Sequence, residues 1–405
     1  MTRSPFRSPF SKRIPSPADA VRRRVAFLFT ALLVAAGVLV AIAQTPAAPT
    51  DLKTLITNLG SLEYPTRMNA ARLIRRAAPA QAVPALVDAV RRHPDEYVRN
   101  RAFIVLSSFN DKGTPDLAKS LISDKNDRLR ESVLKWFEQH PDPKLAPSLL
   151  GALQTETAEF VRPALIEALT AVDQDPQVQS ALVAEAGRGL DFFRSAVIDA
   201  LGRRHAAYAV DAIAPMTREA GPLQQEAVLA IGRIGGAKAD GILAGVAGAA
   251  PEIQMTIRAA TCLAGKGCDM QIAALTDVAA RDKERPVVIR AAIGGLAAIA
   301  ESGNAAALRA LLDLAARVPA LHDAVAVGFS EVALRRPSSV LDWFGSAAQP
   351  ARDAALTLLK DGFDSLENDY AEEQFFAATR AMYWQGAENS STRTVTAAII
   401  QRLEF

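Results

Sequence analysis

Two cysteines and four histidines among 405 residues leave little material for a metal centre or a disulfide framework. Aromatic residues amount to 6% against an apolar fraction of 50% carried mostly by alanine, leucine and valine, a balance that suits close helix–helix packing better than a sheet core. Charge of one sign is missing too. The formal net charge is +2, and residues 1–50 hold seven Lys/Arg and one acid, which leaves the remaining chain at −4. A body without basic excess has no means of neutralising many phosphates, so no nucleic acid is expected as a partner. Neither a Gly-x-x-x-x-Gly-Lys-Ser/Thr loop nor a Gly-x-Ser-x-Gly elbow occurs. The glycine-rich run Ile231-Gly232-Arg233-Ile234-Gly235-Gly236 follows no strand pattern, which removes the dinucleotide-binding reading. Of the histidines, His93, His140 and His205 fall near expected helix C-termini, where they complement the helix dipole, and His322 stands apart. No metal, no cofactor and no catalytic residue is therefore expected.

What the sequence does have is a repeat. Arg67, Arg99, Arg130, Arg162, Arg194, Arg258 and Arg290 recur at intervals of 32, 31, 32, 32, 64 and 32, with Gln225 in the gap. A period of this size marks a solenoid, not a single globule. Around each arginine the apolar residues keep one helical phase, as in Val98, Ala102, Val105, Leu106 and Phe109, or Val161, Leu165, Ala168, Leu169 and Val172. An acid or small polar residue, Asp95, Asp127, Glu159 or Asp191, precedes the arginine and is placed to cap the helix. A second apolar helix follows each turn, and Pro84 and Pro147 suit its first turn. The arginines then form a structural ladder, each bridging to an acid or carbonyl of a neighbouring unit.

The first fifty residues read as an address. Arg22, Arg23 and Arg24 precede nineteen uncharged residues, Val25–Ala43, long enough to span about 28 Å as a helix. Ala41-Ile42-Ala43 fits a signal-peptidase site, while the length fits an anchor, and both alternatives stay open. Residues 1–24 are the basic cytoplasmic region, 25–43 the signal or membrane-spanning segment and 44–50 a linker. Either alternative carries the body out of the cytoplasm, to a periplasmic or membrane-tethered position. In such a compartment Cys262 and Cys268, separated by Gly265-Lys266-Gly267, form a local disulfide or remain two small buried thiols.

Glu159-Phe160-Val161-Arg162 and Ala82-Val83-Pro84-Ala85-Leu86 resemble the units of HEAT repeats, especially the short bacterial kind shared with phycobilisome-lyase-type proteins. The resemblance covers about residues 51–350 and implies an all-α, right-handed α-solenoid of about nine helix pairs of the armadillo type. HEAT-like deoxyhypusine hydroxylases carry paired His-Glu iron ligands; this chain has no His-Glu dipeptide. Residues 351–405 depart from the repeat, with Asp361, Asp364, Glu367, Asp369, Glu372 and Glu373 beside Phe363, Tyr370, Phe375, Phe376, Tyr383, Trp384 and Phe405. They read as a C-terminal helical cap. Tyr383 and Trp384 are candidate docking residues within it.

The function expected from these observations is that of a scaffold gripping a protein or peptide on a concave face lined by the second helix of each pair. Asp88, Arg91, Arg92, Lys119 and Asp124 are the polar candidates on that face. The competing readings are an enzyme or enzyme subunit related to HEAT-like lyases and a structural envelope protein.

Overall fold

The computed structural model describes residues 51–246, 248–282, 285–366 and 368–403. The segments 1–24, 25–43 and 44–50, together with Glu367 and Phe405, lie outside the described residues. No helix among the described residues is long and apolar enough to cross a membrane.

The described residues form helices and turns, with no strand among them. After α1 (Leu52–Asn58) come nine pairs. They are α2 (Tyr64–Arg76) with α3 (Pro79–Arg92), α4 (Glu96–Ser107) with α5 (Thr114–Leu121), and α6 (Asp127–Gln139) with α7 (Ala146–Thr155). Next are α8 (Val161–Thr170) with α9 (Pro176–Ala186), α10 (Asp191–Arg203) with the short α11 (Val210–Ile213), and α12 (Gln224–Ile234) with α13 (Gly236–Ala244). The last three are α14 (Pro251–Leu263) with α15 (Cys268–Arg281), α16 (Pro286–Glu301) with α17 (Ala305–Arg317), and α18 (His322–Arg335) with α19 (Pro337–Ser346). Three more helices close the chain, α20 (Gln349–Leu366), α21 (Asp369–Gln385) and α22 (Ser391–Leu403).

Local signals set these boundaries, though not always at the residues expected. Asp95 caps α4 by accepting from the Tyr97 and Val98 amides at 2.8 and 3.4 Å. For α6 the cap is Asn126, not Asp127, because its amide side chain accepts from Leu129 N–H and also donates to the Glu96 carbonyl at 2.6 Å. Glu159 and Asp191 do not cap. The residues before α8 and α10 are Phe160 and Leu190, which carry no capping group. Pro84 lies inside α3, since Pro79 already takes the first-turn place, whereas Pro147 does sit in the first turn of α7. Gly235 and Gly236, at φ 69° and 85°, break α12 from α13.

First helices stack on first helices down the array, most extensively α6 on α8, α12 on α14, α14 on α16 and α18 on α20. Small residues allow it. A Cβ added to Gly232 would lie 2.5 Å from Ala260 Cα, and one added to Gly202 would lie 2.6 Å from Ala230 Cα. The buried apolar residues form two clusters, one running from Leu55 to Ala260 and taking in Tyr370 of α21, the other from Met255 to Leu403, which meet in α14. First helices that are not stacking neighbours also meet: Asp199 of α10 lies 3.0 Å from Arg335 of α18, and Arg233 of α12 lies 3.3 Å from Glu301 of α16. Such contacts occur only on the inside of a bend. The inner layer is therefore made of the first helices, and the second helices, expected to line the concave face, form the outer layer.

Gly232→Ala should lower the denaturant midpoint by an amount equivalent to roughly 1–3 kcal/mol, because backbone stands where the methyl would go. Gly241→Ala, in α13 with nothing within 4 Å of the added carbon, should leave stability unchanged or raise it by about 1 kcal/mol. Urea titration followed by circular dichroism compares the two, and equal effects would contradict the close stacking of α12 on α14.

Candidate functional site

The arginine ladder is a relay between pairs. Arg99 donates through Nη1 and Nη2 to both carboxylate oxygens of Asp124 at 3.0 and 2.6 Å, and through Nε to the Val90 carbonyl at 2.7 Å. Asp124 in turn offers its carbonyl to Arg130 at 2.7 Å, while Arg130 holds both oxygens of Glu156 at 2.8 Å. The Glu156 carbonyl accepts from Arg162, which reaches Glu185 at 2.9 Å and lies over the Phe193 ring. Arg67 and Arg194 donate to the Ser61 and Ala186 carbonyls. Arg99, Arg130 and Arg162 thus each join an acid at the end of their own pair to a carbonyl of the chain before it, while Arg67 and Arg194 make the carbonyl link without such an acid.

Burial opposes ionisation of Asp124 and Glu156, but the Arg99 and Arg130 bonds and nearby amides outweigh it and hold both carboxyls below the usual range. Asp124 is accordingly part of this framework and not of a docking surface. The ladder also ends earlier than the spacing suggests. From α12 onward glutamine takes the place: Gln224, not Gln225, donates to the Thr217 carbonyl at 3.0 Å, and Gln254 donates to Ala249. Arg258 lies one turn further along α14 and bonds Gln271, and Arg290 is exposed.

The remaining candidates are dispersed. Asp88, Arg91 and Arg92 lie exposed on α3, with Arg92 and Asp88 paired at 3.4 Å, and Lys119 is exposed on α5; all four are on second helices. Tyr383 and Trp384 pack edge to face at 5.1 Å, Trp384 is 72% exposed, and the Arg393 guanidinium lies against both rings. Cys262 and Cys268 are joined in a disulfide across the α14–α15 turn, with Cα atoms 4.4 Å apart. His93 and His140 cap the ends of α3 and α6, and His140 stacks on Trp136 at 4.2 Å. No group of three His, Cys, Asp or Glu among the described residues is placed to hold a metal ion.

What the structure gathers instead is a groove of ≈ 790 Å³ on the inner face, lined by α8, α10, α12, α14, α16 and α18. Phe192 and Val287, 67% and 48% exposed, stand among its lining residues on the N-terminal halves of α10 and α16. Its floor is a charge network mainly on the C-terminal halves, with Glu226 entering from the first turn of α12. Asp199 takes Arg233 at 2.7 Å, Arg203 at 3.0 Å and Arg335 at 3.0 Å; Glu167 pairs with Arg203, Glu226 with Arg233 at 3.5 Å, and Glu301 with Arg233 and Arg335. Six acids line the groove (Glu167, Asp191, Asp199, Glu226, Glu301, Glu331) with Arg233, Arg290 and Arg335, while Arg203 pairs with Glu167 and Asp199 and Arg194 with Asp191, so the acids outnumber these arginines by one.

Burial alone would raise the Asp199 carboxyl, but three guanidiniums overturn this and hold it far below the usual range. Burial pushes Glu167 up to about 7, with Arg203 opposing and Glu138 and Asp199 adding to the shift. Burial, then the Asp199 charge, takes Glu226 up to about 7 against Arg233. The arginines are too few to ionise every neighbour, so Asp199 takes them and Glu167 and Glu226 stay poised near neutrality. A signal for this floor existed in the sequence: Glu167 and Asp199 each stand five residues after a ladder arginine, on helices otherwise apolar there.

Comparison with known proteins supports the repeat and adds no ligand. Residues 52–134 match the family model described as HEAT repeats. No curated protein matches the chain. Among solved structures, the chain is similar to human deoxyhypusine hydroxylase in complex with glycerol, at 20% identity and TM-score 0.28, covering 65% of this chain and 98% of that one. It is also similar to importin beta crystallised in ammonium sulfate, at 16% identity and TM-score 0.36, covering 87% of this chain and half of that one. A third is Kap95p, solved with RanGDP, at 12% identity and TM-score 0.38, covering 91% of this chain and 60% of that one. The chain thus spans half to three-fifths of those two proteins, and likeness of this order assigns it no activity.

Glu156→Ala should cost roughly 2–3 kcal/mol, since it leaves the Arg130 guanidinium enclosed with only a carbonyl partner. Asp88→Ala, which breaks an exposed pair, should cost less than about 1 kcal/mol. Asp124 and Glu156 have depressed values, so the stability they add is present above the ordinary carboxylate range and is lost as the pH falls through and below it. Acid unfolding of Glu156→Ala should therefore be shallower than that of the parent chain, and an identical acid limb would remove the relay's role.

Proposed function

We propose that this chain, a HEAT-repeat protein, is a binding scaffold whose inner groove takes a basic peptide segment of a protein partner. The observation that carries this reading is the pairing, in one groove, of exposed apolar side chains with a floor containing more carboxylates than guanidiniums. Phe192 and Val287 offer an apolar anchor of the sort that dominates interface energetics. The floor supplies charge complementarity to lysine or arginine, which steers association and selects against acidic sequences. A rigid stack of helix pairs suits such a task, because the curved inner layer presents side chains from six helices to one extended ligand.

The reading extends to location. The hydrophobic segment Val25–Ala43 behind three arginines and the bonded pair Cys262–Cys268 both favour a body working in an oxidising, extracytoplasmic compartment. Retention of that segment would tether the scaffold to the membrane.

Peptide display against the purified chain should enrich sequences with lysine or arginine next to leucine or phenylalanine, and enrichment of acidic sequences would overturn the reading. For a selected peptide, Phe192→Ala should weaken binding about tenfold or more. Affinity should rise between about pH 6 and 8, as Glu167 and Glu226 ionise and attract the peptide's cations. The Glu167→Gln, Glu226→Gln double variant should lose that dependence, and a parent chain with a flat profile would exclude the floor from binding.

Location has its own measurement. Cells lysed directly into denaturant containing maleimide and no reductant should yield chain unlabelled at Cys262 and Cys268, whereas labelling of both cysteines would place the body in a reducing compartment.

A further inference from the structure

A second inner surface lies at the other end of the array, and the chain itself is seated on it. Helix α21, some 270 residues further along the chain, packs against the first helices of the first three pairs. Tyr370 buries its ring in the N-terminal apolar cluster, and the other contacts include several polar ones. Arg101 of α4 donates to Asp369 and to the Tyr97 hydroxyl, Arg75 of α2 pairs with Glu373 at 3.1 Å, Gln374 donates to Ser107 Oγ at 3.2 Å, and Lys135 of α6 reaches Asn368 at 3.5 Å. The receiving helices present the cations Arg67, Arg75, Arg101, Arg128 and Lys135, the last two paired with Glu131 of α6, and the seated helix presents Asp369, Glu372 and Glu373, the last shared with its own Arg380.

Two features distinguish this contact from the covering of a last repeat. The apolar side of α21, with Phe375 and Phe376 buried against Phe363, serves that purpose on the C-terminal cluster. The opposite side fits its seat imperfectly. A cleft of ≈ 850 Å³ remains between α21 and the first helices, Tyr64 and Tyr97 stay 38% and 39% exposed along it, and the hydroxyl of Tyr370, a residue 4% exposed, has no hydrogen-bond partner among the described residues. A buried hydroxyl left unpaired is a cost that a better-fitting ligand removes.

We propose that the inner surface of α2, α4 and α6 is a docking face for an acidic amphipathic helix, and that α21 occupies it in the same chain as a displaceable internal ligand. The external partner is a helix from another protein with carboxylates spaced as Asp369 and Glu373 are, one turn apart, and with bulk to fill the cleft beside Tyr64 and Tyr97. The seat joins charged and polar contacts to one buried aromatic ring, Tyr370, so a competing helix must replace that ring as well as the carboxylates. This face is separate from the acid-lined groove and selects a partner of opposite charge, so the two stand or fall independently.

The test uses the full chain and a fluorescein-labelled peptide of residues 368–385. The parent chain, its face already filled, should bind the peptide weakly, and Asp369→Arg with Glu373→Arg in the chain should increase affinity about tenfold or more. The same peptide carrying those two reversals should not bind the variant. Hydrogen exchange of α21 should quicken in the variant while α18 keeps its protection. No gain in peptide affinity overturns the proposal, as does exchange of α21 as slow as that of α18 in the parent chain. A variant that dimerises with concentration would assign the face to a second copy's α21 and overturn the external partner. Should the double reversal fail to fold, Asp369→Asn with Gln374→Ala is read the same way, and a peptide affinity equal to the parent's again overturns it.

Discussion

The described body depends on one steric condition, that the first helices approach closely enough to share a layer. Gly202 against Ala230 and Gly232 against Ala260 have no room for another carbon. Stacked in this way, the layer of first helices is the shorter one and becomes the inside of the bend. Its curvature brings α10 to α18 and α12 to α16, helices that neighbouring pairs alone would never introduce to one another. Small residues at stacking positions are thus the remote cause of the charge network, since a wider inner layer would hold Asp199 and Arg335 apart. The same logic makes stability a sum of neighbour terms, to which the arginine relay adds a polar link at each early pair.

Electrostatics in the groove follows from that geometry. Water is partly excluded where several helix ends converge, and charges there feel each other strongly. With too few guanidiniums to go round, one carboxyl is held ionised and its neighbours are pushed upward, so a single floor holds both a fixed negative charge and two titrating ones. Arg203, Arg233 and Arg335 stand in the last turns of their helices, where the dipole favours a cation, while Glu301 stands in such a turn against it. Its pairs with Arg233 and Arg335 offset that cost.

Much of the fold was readable in the sequence, because the apolar phase of a helix reports directly which of its faces is buried. The helix pairs, about nine of them, follow from periodicity alone. Phase does not report which layer lies inside a bend. That depends on how closely two helices approach, a property of residue size at the few positions where they touch, and so the second helices were expected on the concave side and the first ones are found there. Register failed for a related reason: an arginine at the expected interval can sit one turn off the ladder when turn lengths change, as Arg258 does, while Gln224 and Gln254 perform the carbonyl-binding part of the task without a charge. The site residues were hidden because they lie far apart in sequence and meet only through curvature. Asp199 and Arg335 are 136 residues apart, and no local pattern joins them.

Curvature also decides what the chain's end can do. An open rod would leave α21 at its tip, with one apolar side covering the last pair and the other side in water. The bend carries that polar side back onto α2, α4 and α6, where arginines already faced inward. A terminal helix on such an array therefore acquires a second contact that its role as a cover does not require. The acids of α21 are matched to that contact and its unfilled cleft is not, which is the combination expected of an element held by charge and open to competition.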